Sequence, residues 1–381
     1  MKTVKYILTV ACLILAVSCR KEPASDALDQ ASAIWLKAGV VPASVQTRTP
    51  YTQAMPTFEQ PLDAAVWASS TEYAYSDLDK DGSAEAGYVV AKHTSASFQS
   101  GDSPQLLSDA VYPKDEGSSS QPLVYFIGLY PITGWSSTDS NAGTDAIRTF
   151  DGKTDLLFAP EITGYYGIPF ADSPVYNFYH LLTWLKIELC AYGADVLERE
   201  TVCNAWGKIT NLKLKDQKSA LAIDLTAPNP DVSSSDPAVR TANVATKVSF
   251  TGATAPMPFY ATGTDDVFPD ASGYDIPTVA SMTDVAYVLC APVEATVSEY
   301  DPISMSDVRT TEYTLTVTTE HRSPIDIPID LKTAADTWFA GTTVGKQFTI
   351  SLTFKIGNTI AVSTSVTDWS TGGIGTAHIT E

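Results

Sequence analysis

The sequence predicts an all-β protein with two successive β-sandwich domains behind a secretory signal and a short leader. Three observations predict it. Apolar residues recur at every second position in one stretch after another, the period of a half-buried strand. Gly357-Asn358 separates two such runs, the clearest hairpin signal in the chain. No long stretch repeats apolar residues at helical spacing, which excludes a parallel α/β architecture. Of the 381 residues 44% are hydrophobic, 10% aromatic and only 18% charged. That is enough apolar mass to bury real cores and too much for disorder throughout. Acids outnumber bases 44 to 24, a net charge of −20. Nucleic-acid binding needs clustered Lys and Arg, and that excess is absent.

The N-terminus sets the compartment. Lys2 and Lys5 precede an apolar run from Tyr6 to Val17, broken only by Thr9. A membrane-spanning helix needs about 20 apolar residues, so this shorter run reads as a signal peptide, residues 1–18. It ends in Ala16-Val17-Ser18-Cys19, which resembles the lipobox of bacterial lipoproteins, with Ala16 in place of the usual Leu. The resemblance implies an acylated Cys19, palmitate included, anchoring the chain to outer-membrane lipid without spanning it. Residues 19–48 form a leader. Ser25 suits the N-cap of a short helix through Leu28 and Trp35, stopped by Gly39. The same stretch also offers Ile34, Leu36, Val40, Val41 and Val45 to an extended segment with Pro42 near its edge. The chain has only seven arginines, and Arg48, followed by Thr49 in a polar stretch, is a candidate site for a trypsin-like protease. Taken alone, Arg48 reads better as a plain linker residue.

Beyond Arg48 the signals are strands. Leu123-Val124-Tyr125-Phe126-Ile127 is an unbroken apolar run between Pro122 and Gly128, as in a sandwich strand buried on both faces. Leu185, Ile187 and Leu189 alternate with polar neighbours or Trp184. Leu212 and Leu214, then Leu221, Ile223 and Leu225, continue the period, as do Tyr313, Leu315 and Val317. Near the end Phe348, Ile350, Leu352, Phe354 and Ile356 share a face, and Ile360, Val362 and Val366 return after the turn. A short helix is expected over 332–339. Ser/Asp-rich segments 136–145 and 227–240 read as solvated loops. Pro/Gly-rich loops over 159–174 place a boundary that divides the mature chain into 49–172 and 173–381.

The candidate chemistry is thin. Asp77, Asp79 and Asp81 with Gly82 match the first half of a calcium loop, but Tyr88 occupies the place of the bidentate Glu. An acidic turn between strands explains the same residues and is the preferred reading, so no firm metal site is assigned. His93, His180, His321 and His378 lack ligand spacing. No G-x-S-x-G elbow, H-E-x-x-H helix or phosphate loop is present, so no catalytic residue and no cofactor are expected. His180 reads as a hydrogen-bonded structural histidine. Cys190, Cys203 and Cys290 leave open a Cys190–Cys203 bridge or three buried thiols, the latter slightly favoured. Trp135, Tyr165 and Tyr166 fall in loop-like segments and are candidates to stack on sugars, or to cap a sandwich edge.

Taken together, the lipoprotein signal, the arginine-ended leader and the two β-sandwiches resemble the fimbrillins of Bacteroidetes, the type V pilin superfamily. Three stretches add to the likeness. Asp155-Leu156-Leu157-Phe158-Ala159 is followed by Val175 to Glu188, with Phe178-x-His180-x-Leu182-x-x-Leu185 at its core. Trp206-Gly207-Lys208-Ile209 leads into Leu212 and Leu214. The closing hairpin from Gly345 to Trp369 ends Val366-Thr367-Asp368-Trp369. The resemblance implies two transthyretin-like or Ig-like sandwiches in a surface lipoprotein. It also implies cleavage of the leader by an arginine-specific protease, at Arg48 in this chain. A strand from a neighbouring subunit then fills the vacated groove, and the filament mediates adhesion and biofilm formation. Expected partners are therefore other fimbrial subunits and host or bacterial surface ligands, with Ile34, Leu36, Val40, Val41 and Val45 as the plugging strand. The twelve residues after Trp369 are a Gly-rich, meagre donor, which points to a tip or accessory subunit rather than a stalk. The competing reading is a monomeric glycan-binding surface lipoprotein.

Overall fold

The computed structural model describes residues 33–41, 62–69, 91–98, 105–111, 114–131, 134–140, 143–168, 175–264, 266–295, 297–301, 306–309, 313–332, 339–357 and 359–367. Among them the fold is all-β, with sheets in a sandwich-like arrangement and two short helices.

Elements are numbered in chain order. A seven-stranded sheet runs β3 (Ala91–Phe98), β2 (Leu62–Ser69), β5 (Leu123–Tyr130), β8 (Leu157–Tyr165), β9 (Val175–His180), β1 (Ala33–Val41) and β4 (Gln105–Val111). Its end strands β3 and β4 come into contact, so the sheet curls back towards itself. The second sheet follows the order β19 (Arg322–Ile329), β18 (Tyr313–Thr319), β11 (Ile209–Asp224), β12 (Val248–Ala261), β14 (Thr283–Cys290), β10 (Thr183–Ala191), β21 (Gln347–Lys355) and β22 (Thr359–Thr367). Beside this path β13 (Val267–Phe268) pairs with β12. The hairpin of β6 (Ser136–Ser140) and β7 (Gly143–Thr149) joins through β11. Two small ladders complete it, β15 (Glu294–Ala295) with β20 (Gly341–Thr342) and β16 (Val297–Asp301) with β17 (Ser306–Arg309).

β5 is buried on both faces from Phe126 to Leu129, whereas Leu123, at the head of the apolar run read as buried, is exposed and Tyr125 is half-buried. Ala64, Val66, Ala68, Phe126, Leu157, Ala159 and Phe178 are buried on one face of the first sheet. Ala65, Trp67, Ile127, Leu129, Phe158 and Tyr179, one position out of phase, join the core that continues into the second sheet. A strand with two buried faces cannot alternate with polar residues.

In the second sheet the period-two readings fall on β10, β11, β18, β21 and β22. β21 and β22 pair without interruption from Gln347↔Thr367 to Lys355↔Thr359. Phe348, Ile350, Leu352 and Phe354 are fully buried, about 1.5–3 kcal/mol each on transfer arithmetic. Ile356, read as the next member of that face, lies at the turn and is 63% exposed. β11 is one strand in which the apolar parity changes from Leu212 and Leu214 to Leu221 and Ile223. A bulge between Leu214 and Gln217 absorbs the extra residue, with Asp216 at φ 53°.

Several expectations are corrected. Residues 136–145, read as a solvated loop, hold β6 and the start of β7. β8 extends to Tyr165 within the stretch read as loops. The 227–240 segment runs into α2 (Pro237–Ala245), N-capped by Asp236 and with Pro at its first turn. α1 (Val196–Trp206) follows an Asp195 cap whose carboxylate accepts from the Glu198 N–H. Its apolar spacing is weak because Arg199 is buried beside Val202 and Trp206 while Val196 and Leu197 are exposed; the Trp206 indole N–H donates to Lys355 O at 2.9 Å. The division anticipated at 172/173 is not among these corrections; β8 and β9, which flank it, are ladder neighbours, and β6 and β7 pair into the second sheet. The short helix expected over 332–339 lies largely outside the described residues.

Candidate strand-exchange site

The arrangement around β1 is the feature with functional content. β1 is the first strand among the described residues, yet it lies inside the first sheet rather than at its edge. Ala33 to Leu36 pair antiparallel with β4, through Ala33↔Val111, Ile34↔Leu107, Trp35↔Leu106 and Leu36↔Gln105. Lys37 to Val41 pair parallel with β9, from Lys37↔Val175 to Val41↔Tyr179. The strand thus passes from one partner to the other halfway along. Ile34, Leu36, Val40 and Val41, named from the sequence as the plugging residues, lie in this ladder. Val45 lies outside the described residues, as do Cys19, Arg48, Thr49, Asp77, Asp79 and Asp81. Segment 42–61, which contains Arg48, is the only covalent link between β1 and the rest of the sheet.

β9, one wall of the β1 position, is joined to β8 by a ladder of only two pairs, Leu157↔His180 and Phe158↔Tyr179. Other contacts hold it. His180 Nδ1 lies 2.7 Å from Asp155 Oδ2 with both side chains buried, a close polar pair that replaces water. The Leu181 N–H donates to Leu156 O at 2.9 Å. The Phe178 ring crosses β8 beside Ala159 to sit on Gly128 of β5, where a Cβ would come within 2.7 Å of it. Tyr179 is buried, and burial pushes its phenol pKa up, partly offset by a hydrogen bond and the charge of Arg240 on α2. Sequence reading identified His180 as a structural histidine, which agrees with its place here.

Lys247 follows α2. Its ammonium donates to Ala227 O at 2.8 Å and lies 5.9 Å from the centre of the Phe158 ring. Burial lowers its pKa, with the Asp224 and Glu161 carboxylates opposing.

The remaining candidates do not assemble into a site. Cys190, Cys203 and Cys290 are all free thiols. Trp135, offered as a sugar-stacking aromatic, is buried, donates to Pro131 O at 2.9 Å and has the Arg148 guanidinium over its ring. Tyr165 is exposed, and Tyr166 is half-buried with the Lys114 ammonium 5.5 Å from its ring centre. Among the described residues no group of three or more His, Cys, Asp or Glu is placed to hold a metal ion.

No family model and no curated protein matches the sequence. Solved structures with some likeness include a "putative cell adhesion protein" of Bacteroides uniformis at 15% identity and a TM-score of 0.43, covering 89% of this chain and 98% of that one. The "tip fimbrial protein Mfa3" of Porphyromonas gingivalis, with a C-terminal truncation, is 12% identical with a TM-score of 0.36, over 88% and 100%. One of the "putative polysaccharide binding proteins" of Bacteroides thetaiotaomicron is 9% identical with a TM-score of 0.42, over 88% and 95%. With every TM-score below 0.5, these likenesses carry no argument about function.

Physically, a strand of this kind is separable. Its nine ladder residues contribute backbone hydrogen bonds worth on the order of 1 kcal/mol each. One cut in 42–61 would turn it into a peptide bound non-covalently between β9 and β4. Its departure would bare the N–H and C=O rows of both neighbours, the template on which another extended segment pairs.

Proposed function

We propose that the chain is a subunit, tip, accessory or stalk, of a cell-surface fimbrium that assembles by protease-triggered strand exchange and mediates adhesion and biofilm formation. The single observation that carries the reading is the position of β1: a leader strand, upstream of Arg48, inserted between β9 and β4. In this reading Cys19 carries acyl chains that hold the precursor on the outer membrane. Cleavage between Arg48 and Thr49 frees β1, and an extended segment of another subunit takes its ladder. The mature body, divided near residue 172, accepts that strand between β4 of its N-terminal part and β9, which follows the division. The function needs no catalytic group. The monomeric glycan-binding reading loses one of its three aromatics to the core, since Trp135 is buried.

The test is Arg48→Ala in cells that carry an arginine-specific surface protease. The variant is expected to stay unprocessed and monomeric, while the parent begins at Thr49 and forms ladders of higher mass. Polymers from Arg48→Ala equal to those of the parent would overturn the assignment.

A further inference from the structure

β11 and β12 are joined by more chain than their hairpin requires. The strands are already paired at Ile223↔Val248, and the Asp224 N–H donates to Lys247 O at 2.9 Å. Residues 225–246 leave this closed neck as an excursion that includes α2. The Asp224 carboxylate accepts from the Thr226 and Ala227 N–H groups at its start. Arg240 donates to Ser234 O, and the Asn243 amide donates to Asp231 O, both at 2.7 Å, so the excursion is stiffened from within.

Its outward contacts fall on β9, which pairs with β1, and on β8, the strand on the far side of β9. The Asn229 side chain accepts from the Glu161 N–H at 3.0 Å and donates to Glu161 O at 2.7 Å. It therefore meets both backbone groups of one β8 residue, as a neighbouring strand would, just past the short β8–β9 ladder. Glu161 falls in the β8 bulge between Ala159 and Ile162, where the pairing with β5 shifts. α2, which carries Arg240, packs against β9, and the Arg240 guanidinium acts on the Tyr179 phenol there. With β1 in place, β9 has five ladder partners in β1 and two in β8. With β1 gone, it retains the two.

We infer that residues 225–246 are a brace, with Asn229 and Arg240 as its positioning residues, that keeps β9 in strand position after β1 leaves. The groove is then preformed for an incoming extended segment of a second chain, instead of being rebuilt by it. The inference rests on the strand-exchange reading for its purpose, but it concerns the behaviour of β9 and is measured there.

The experiment is hydrogen exchange on peptides covering 175–182, in four forms of the full chain. Donors to β9 alternate along β1, so Val40→Pro with Val41→Pro removes at least one and releases that half of β1. The chain is made with and without this pair, each with and without Asn229→Ala plus Arg240→Met. With β1 native, the brace substitutions are expected to change exchange of 178–181 less than twofold. With β1 released and the brace intact, protection of Tyr179 to Leu181 should persist. With both altered it should fall at least tenfold. Equal loss from the brace substitutions whether or not β1 is released would overturn the inference, because the excursion would then serve general stability. Loss of β9 protection on β1 release alone would also overturn it, as would failure of the brace variants to fold with β1 native. A protein that behaves as expected here yet never polymerises after cleavage at Arg48 would refute strand exchange and leave the brace standing.

Discussion

Gly128→Ala probes the packing of β9 directly. The Cβ it adds would lie 2.7 Å from Phe178 Cζ, 3.0 Å from Cε1 and 3.2 Å from the Ala159 Cβ. Phe178 and Ala159 are both fully buried, so neither has solvent to move into. Overpacking of this kind costs about 1–3 kcal/mol. Alanine also restricts the unfolded chain, which offsets about 0.4–1 kcal/mol. At the middle of both ranges the net loss should be about 1.3 kcal/mol. At roughly 2–4 °C per kcal/mol for a unit of 150–250 residues, the melting temperature should fall by roughly 3–5 °C. Urea denaturation read by tryptophan fluorescence, with Trp67 buried in the neighbouring β2, measures it. The decisive arm is Gly128→Ala with Phe178→Leu. Removing the ring edge should relieve the clash, so the double variant is less destabilised than the sum of the singles by about 0.5 kcal/mol or more. An unchanged midpoint for Gly128→Ala, or strict additivity, would refute the packing argument.

Three further outcomes follow from polar groups that the fold holds in place. Thr343 Oγ1 accepts from the Val293 N–H at 2.9 Å and lies 2.8 Å from Thr183 Oγ1, so Thr343→Val should cost about 1–3 kcal/mol by stranding that amide. A wild-type melting temperature would contradict it. Burial pushes the Cys290 thiol up to about 12. Iodoacetamide at pH 8 should therefore leave it unmodified in the folded protein and label it after denaturation; peptide mapping showing equal labelling would rule this out. Burial alone would raise the Asp151 pKa, but the Thr154 and Lys153 N–H groups and the Thr154 hydroxyl outweigh it and hold it below the usual carboxylate value. A folded pKa below the unfolded one gives stability that is present above about pH 4 and lost as pH falls through the folded value. Asp151→Asn should therefore flatten the acid limb of a melting-temperature profile, and an unaltered slope would count against the assignment.

The sequence by itself determined the fold class, most strands of the second sheet and the closing hairpin. Those elements bury one face, and a period of two is the direct imprint of a half-buried strand. It also drew attention to the leader residues that now form β1, through their β-branched apolar content, while leaving a short helix open over the same stretch. Only the tertiary structure decided that these residues pair with β4 and then with β9, because register between strands so distant in sequence leaves no local trace. The same holds for β6 and β7, whose Ser, Thr and Asp residues read as a loop until β11 supplies a partner ladder. α1 and α2 escaped notice because only a few of their residues dock on the sheets. Local composition records how much of an element meets water. Which strand lies beside which is decided by packing of the whole chain, and the groove around β1 exists only at that level.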